Sequence, residues 1–154
     1  MSTEPYYSAD NEYNRLRKRH QAEMNEFPMR AAFTLTRFEQ IMREWGFDPD
    51  DHDKVAQVVP GLFIRRTDIP AFREMNERHA SERKEFLDAD TAGERGGHWY
   101  QAFRSELSNH EYVVSGDAEE ALSELNLSLK EVYADPVLKK ALLLAEQDEY
   151  AVCG

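Results

Sequence analysis

The sequence predicts a mainly α fold: a compact helical domain of about five to seven helices with a short two-stranded β-ribbon. Three observations carry that prediction. Apolar residues recur at three- and four-residue steps through most of the chain, the period of a helix with one buried face. The run Leu62-Phe63-Ile64-Arg65 is apolar, β-prone and too short for a helix of its own. The 154 residues are 41% hydrophobic and 11% aromatic against 32% charged, enough apolar material for the core of one domain.

In chain order, residues 1–9 read as a flexible N-terminal tail, polar and containing Pro5, on which little depends. Tyr13, Leu16, His20, Met24 and Phe27 mark the buried face of a first helix from Asp10, which Pro28 ends. Its other side carries Arg15, Arg17, Lys18 and Arg19. After an extended segment from Arg30 to Leu35, Thr36 with Glu39 forms a capping box for a second helix. Phe38, Ile41, Met42 and Trp45 form its apolar face, and Gly46 is its stop. Asp48-Pro49-Asp50-Asp51 is expected to open a short helical turn through Val55 to Val59, broken by Pro60-Gly61.

Leu62 to Arg65 is then a strand, paired with the extended Ala31 to Leu35 segment and in need of helices packed on the ribbon. Thr67 or Asp68 caps the next helix, with Pro70 in its first turn and Phe72, Met75, His79, Phe86 and Leu87 facing inward. A glycine-rich loop from Thr91 to Gly97 leads to a helix marked by Trp99, Tyr100, Phe103 and Leu107. Asn109 to Ser115 reads as irregular or briefly extended. Asp117 with Glu120, and Ser128 with Glu131, cap two short helices, and Asp135-Pro136 starts the last one, with Leu138, Ala141, Leu142 and Ala145 as its buried stripe. The division that follows is a tail at 1–9, a single helical domain at 10–150 and a C-terminal tail at 151–154.

Thirty acidic residues against nineteen basic ones give a formal charge of -11. Direct binding to bare nucleic acid or an anionic membrane is disfavoured by long-range repulsion, and a basic protein surface is the better partner. Cys153 is the one cysteine, so the chain can form neither an internal disulfide nor a cysteine-based zinc site. No run approaches the roughly 18 apolar residues of a membrane span, and the N-terminus lacks the pattern of an export signal, so the expected address is cytoplasmic.

Histidine is the natural proton-transfer residue near neutral pH. His20 and His79 fall on helical apolar faces and are read as hydrogen-bonded core residues, and His52 sits in an acidic turn. The densest polar stretch is Ser108-Asn109-His110-Glu111-Tyr112, which makes His110, Glu111 and Asn109 the alternative catalytic candidates. Neighbours on a helix point about 100° apart, so His110 and Glu111 would not converge on one atom, and a helix terminus is the plainer reading. HExxH, GxxxxGK[ST] and GxGxxG are absent, and neither a metal site nor a cofactor is predicted. Arg15 to Arg19 is balanced by Glu12, Glu23 and Glu26 at helical spacing and reads as a solvated face.

The acidity is uneven. Residues 91–154 hold twelve acidic and five basic side chains, so this part supplies -7 of the total. Duplex DNA bears about one charge per 1.7 Å, so eleven aligned charges would imitate roughly 19 Å of duplex.

Several segments taken together resemble a group of small uncharacterised proteins carried by phages and conjugative mobile elements. They are Asn25-Glu26-Phe27-Pro28-Met29, Ala32-Phe33, Phe38-Glu39, Gly46-Phe47-Asp48-Pro49, Phe63 to Asp68, and Glu106-Leu107 with Asn109 to Tyr112. The resemblance spans about residues 11–146. It implies an accessory role in a mobile element within a bacterial host cell, a setting in which small acidic proteins often neutralise host defence nucleases, including CRISPR effectors and restriction enzymes, and it implies no known catalytic residue.

Charge and resemblance together give the leading expectation of a non-catalytic, stoichiometric inhibitor whose DNA-mimic-like acidic surface occupies a host protein's basic nucleic-acid-binding surface. The contributing residues are expected to be Glu119, Glu120, Glu124, Glu131, Asp135, Asp148 and Glu149. The alternatives are a small hydrolase or nuclease at Asn109 to Tyr112, and a structural or regulatory module that homodimerises through leftover apolar surface such as the Leu142-Leu143-Leu144 run.

Overall fold

The computed structural model describes residues 4–153 and is mainly α, with eight α-helices and one small three-stranded antiparallel sheet among them. Contacts divide the chain into two units, one made of residues up to His20 and from Glu82 onward, the other of Gln21–Ser81. Helices α1 (Glu12–Glu26) and α3 (Ile69–Asp88) each contribute to both.

In the first unit the core is built around α4 (His98–Asn109) and α8 (Pro136–Cys153). Trp99 through Leu107 are all buried, polar residues included. Tyr100, Phe103 and Leu107 pack with Leu138, Leu142 and Ala145, the stripe read from the sequence. Three short helices, α5 (Tyr112–Ser115), α6 (Glu119–Glu124) and α7 (Leu129–Ala134), add Tyr112, Leu122 and Val132 to the same core. Ser128 caps α7: its hydroxyl accepts from the Glu131 amide at 3.2 Å and donates to the Glu131 carboxylate at 3.0 Å, so the Ser-x-x-Glu pair meets through the hydroxyl. Asp135 caps α8 by accepting from the Val137 amide at 2.9 Å. The loop before α4 is held by Asp90, whose Oδ1 accepts from the amides of Ala92 and Gly93 and whose Oδ2 accepts from Trp99. Gly93 sits at φ +68, where a Cβ would lie 2.3 Å from the Val137 carbonyl oxygen, so the loop requires glycine twice over.

In the second unit β1 (Arg30–Ala31), β2 (Val55–Val59) and β3 (Leu62–Arg65) form a sheet in the order β1-β3-β2. On one face Phe63 meets Phe38 of α2 (Leu35–Glu44), ring centroids 5.1 Å apart. The 69–81 part of α3 and the end of α1 complete the unit, with Phe27 edge-on to Phe72 at 5.3 Å.

Four local expectations are corrected. Residues 55–59 form a strand, not a helical turn: the Asp48–Asp51 turn opens only a 3-10 turn, His52–Lys54, and the β-branched run that follows pairs with β3, making three strands of the expected two. The α2 cap is Thr34, whose hydroxyl accepts from the Arg37 amide at 3.2 Å, two residues before the expected Thr36. The stretch after Asn109 contains a helical turn, α5, entered through Glu111 in the left-handed region at φ 53. At the ends, Glu4 and Tyr7 make specific contacts described below, and α8 continues through Cys153 where a tail had been expected from residue 151. Residues 1–3 and 154 of the expected tails lie outside the described residues.

Candidate acidic interface and the His110 cluster

Between Glu111 and Asp135 the chain places seven acidic side chains, at positions 111, 117, 119, 120, 124, 131 and 135, against the single basic Lys130. All seven are exposed. The pattern follows from the local helices. Acidic residues favour the first turn, where amides are unpaired, and α6 opens with Glu119 and Glu120 while Glu131 lies in the first turn of α7. Ala121, Leu122 and Val132 turn inward and leave the carboxylates on the solvent side.

Five of the seven residues predicted to bind a partner therefore lie on this exposed segment: Glu119, Glu120, Glu124, Glu131 and Asp135. Asp148 and Glu149 do not join them. Both belong to a polar network inside the first unit, centred on Arg104, whose side chain is only 2% exposed. Its Nε donates to Glu149 Oε1 at 2.7 Å, Nη1 donates to the Tyr100 hydroxyl at 2.7 Å, and Nη2 pairs with Glu4 at 2.6 Å. The guanidinium also lies 4.5 Å from the centre of the Tyr7 ring, and the Tyr7 and Ser105 hydroxyls share a hydrogen bond of 3.0 Å. The Tyr100 hydroxyl donates in turn to Asp148 at 2.6 Å, which Arg95 also holds at 2.9 Å. Burial works against ionisation of Asp148, but the Arg95 and Tyr100 hydrogen bonds outweigh it and keep its carboxyl below the usual range. These two acids are engaged in internal ion pairs with Arg95 and Arg104 and stand apart from the exposed 111–135 segment.

His110 stands at the end of α4 beside three carboxylates, none of which is the adjacent Glu111. Its Nε2 is 3.7 Å from Glu106 and 3.9 Å from Glu124, and its Nδ1 is 3.5 Å from Glu120. Because Glu120 meets one ring nitrogen while Glu106 and Glu124 meet the other, these carboxylates surround the ring and do not focus on one point. No group of three or more histidine, cysteine or acidic side chains placed to hold a metal ion occurs among the described residues.

Glu106, missed in the sequence, is the unusual member. It is 2% exposed; Oε1 accepts from the Tyr13 hydroxyl at 2.9 Å and pairs with Arg17 at 2.9 Å, while the buried Oε2 has no hydrogen bond. Burial, and then the nearby Glu106 charge, raises the Tyr13 phenol well above its ordinary range. The i, i+4 spacing of Glu106 and His110 on a helix was the signal that could have found the pair. Asn109 and Glu111 are exposed and take no part in this cluster.

The Leu142-Leu143-Leu144 run is not an apolar surface. Leu142 is fully buried, Leu144 packs against the core, and Leu143 alone is exposed. No helix among the described residues is long and apolar enough to cross a membrane.

A protein-family model matches residues 12–148, and its description is Family of unknown function (DUF7659). No curated protein and no solved structure matches the chain.

Proposed function

The chain belongs to the Family of unknown function (DUF7659), and from that premise we propose that it is a non-catalytic binding protein whose 111–135 segment docks on a basic protein surface. One observation carries the reading: seven exposed carboxylates with one lysine among them, outside the internal ion-pair network that engages Asp148 and Glu149. A partner that ordinarily holds a nucleic-acid backbone supplies the matching lysines and arginines. The specific form of the proposal, suggested by the resemblance to mobile-element proteins, is stoichiometric inhibition of a host CRISPR effector or restriction enzyme.

The test is DNA cleavage by such enzymes at increasing ratios of this chain. Inhibition saturates near equimolar ratio, weakens as salt rises, and disappears in the triple variant Glu119→Lys, Glu120→Lys, Glu124→Lys with its circular dichroism unchanged. A triple variant that inhibits as well as the parent removes the acidic segment from the mechanism.

A second reading, hydrolysis at His110, is favoured by the buried Glu106 carboxylate 3.7 Å from the ring, a carboxylate and an imidazole side by side at the end of α4. Turnover distinguishes it: one molecule would inactivate many targets, and His110→Ala would stop it without unfolding the chain.

A further inference from the structure

The second unit contains an apolar groove of about 350 Å³ between β2 and α3. Its floor is one face of the sheet. Ala56 and Val58 of β2 both line it, and Ala56 stands opposite Ile64 of β3, which lines it as well. Its wall is one face of α3, where Ile69 and Phe72 are followed by Arg73, Asn76 and Glu77 at the spacing of a single helical stripe.

The groove runs beside an unpaired sheet edge. In the order β1-β3-β2, the strand β2 is bonded on one side only, and no main-chain group of residues 56–59 bonds outside the ladder among the described residues. Alternate residues of an antiparallel edge strand aim their amides and carbonyls outward. Edge strands are ordinarily protected by lysine, an inward charge, an internal proline or a β-bulge. Val55-Ala56-Gln57-Val58-Val59 has no charge and no internal proline, and Pro60 comes only after it; its one irregularity is a register slip against β3 between Gln57 and Val59, which leaves the edge open at Ala56 and Gln57.

Arg73 adds a chemical requirement. Neither it nor Glu77 makes an ion pair among the described residues, although they stand one turn apart on the wall. We propose that this groove binds an extended peptide of another protein, which adds as a fourth strand along β2, seats alternate apolar side chains over Ala56 and Val58, and places an acidic group at Arg73. Main-chain bonds to β2 supply affinity, and the groove with Arg73 supplies selectivity. A second copy fits less well. Its own β2 carries no charged side chain to meet Arg73, and each copy bears a formal charge of -11. At about 3.3 Å per residue, the regular part of β2 before the slip, Val55 to Gln57, offers a track of roughly 10 Å, enough for three residues of a peptide.

The experiment is a displayed library of random peptides panned against the whole chain, followed by fluorescence anisotropy on synthetic copies of those enriched. The expected winners carry apolar residues at i and i+2 and an aspartate or glutamate. N-methylation of alternate peptide amides abolishes binding, while methylation of the amides between them is tolerated. Arg73→Glu weakens binding about tenfold or more and redirects selection to basic peptides, and Ala56→Arg blocks the groove. Arg73 is exposed, so its variant keeps the fold and remains decisive even if Ala56→Arg does not. The Glu119, Glu120, Glu124 triple variant binds the peptides unchanged, so failure of the acidic-interface proposal and failure of this one are read separately. Enrichment without that pattern, indifference to N-methylation, or a concentration-dependent doubling of mass that Ala56→Arg removes would each overturn the peptide proposal, the last in favour of a second copy.

Discussion

Arg104 is a cation buried in the first unit, tolerated because three polar partners meet its three nitrogens. Burial alone would disfavour its charge, but hydrogen bonds from its guanidinium to Glu149, Glu4 and Tyr100 outweigh burial and hold it firmly protonated. Removing one member of such a network leaves the others buried without compensation. Arg104→Ala is therefore expected to cost about 3–5 kcal/mol, read as a lowered midpoint in urea unfolding. The double variant Arg104→Met, Glu149→Gln should lose less, since it also takes away the more buried of the two carboxylates that Arg104 pairs. At this scale little was legible. Asp148 and Glu149 look in sequence like two more surface acids, and nothing local distinguishes them from Glu119 and Glu120. Their partners Arg95 and Arg104 lie 53 and 45 residues away, and long-range pairing leaves no periodic trace.

Helix boundaries were easier to read than strand edges. The α1, α3, α4 and α8 helices follow the three- and four-residue apolar steps, and Ser128 caps α7 as its sequence requires. The failure at β2 has a plain cause: Asp48-Pro49-Asp50-Asp51 can open a helical turn, and it does so for three residues. Three valines in five positions, packed opposite β3, then favour extended backbone. Inside the second unit, Glu23 near the end of α1 joins Arg78 and His79 of α3, with the His79 ring nitrogen 2.7 Å from its carboxylate. Hydrogen bonds from Arg78 and then His79, partly opposed by burial, hold the Glu23 carboxyl at about 2 against an ordinary 4.5. A depressed carboxyl stabilises the folded state above its unfolded value, and the contribution is lost as pH falls. Thermal melts should show stability declining from pH 4.5 toward about 2, and Glu23→Gln should flatten that part of the profile. An unchanged slope in the variant would mean that the ion pair adds nothing to folding.

At the scale of the whole molecule the two units differ in how much they bury. The first holds a continuous cluster in which Ala102, Leu107, Leu122, Ala141, Leu142 and Ala145 are fully inaccessible. In the second, buried apolar residues are fewer, with Ile41, Met42, Ile64 and Met75 the principal ones. Amide exchange by mass spectrometry should find the slowest protons in the middle of α4 and α8, and comparable protection in α2 would contradict this ordering. By itself the sequence determined the mainly α class, most helix positions, the inward stripe of α8 and the concentration of negative charge after residue 90. These depend on periodicity and composition, which a linear string carries. The tertiary structure alone decided which acids stay exposed, that His110 faces Glu106 and not Glu111, and that Val55–Val59 is an edge strand beside a groove. Each of those depends on which distant residue stands across the gap, and that is set by packing.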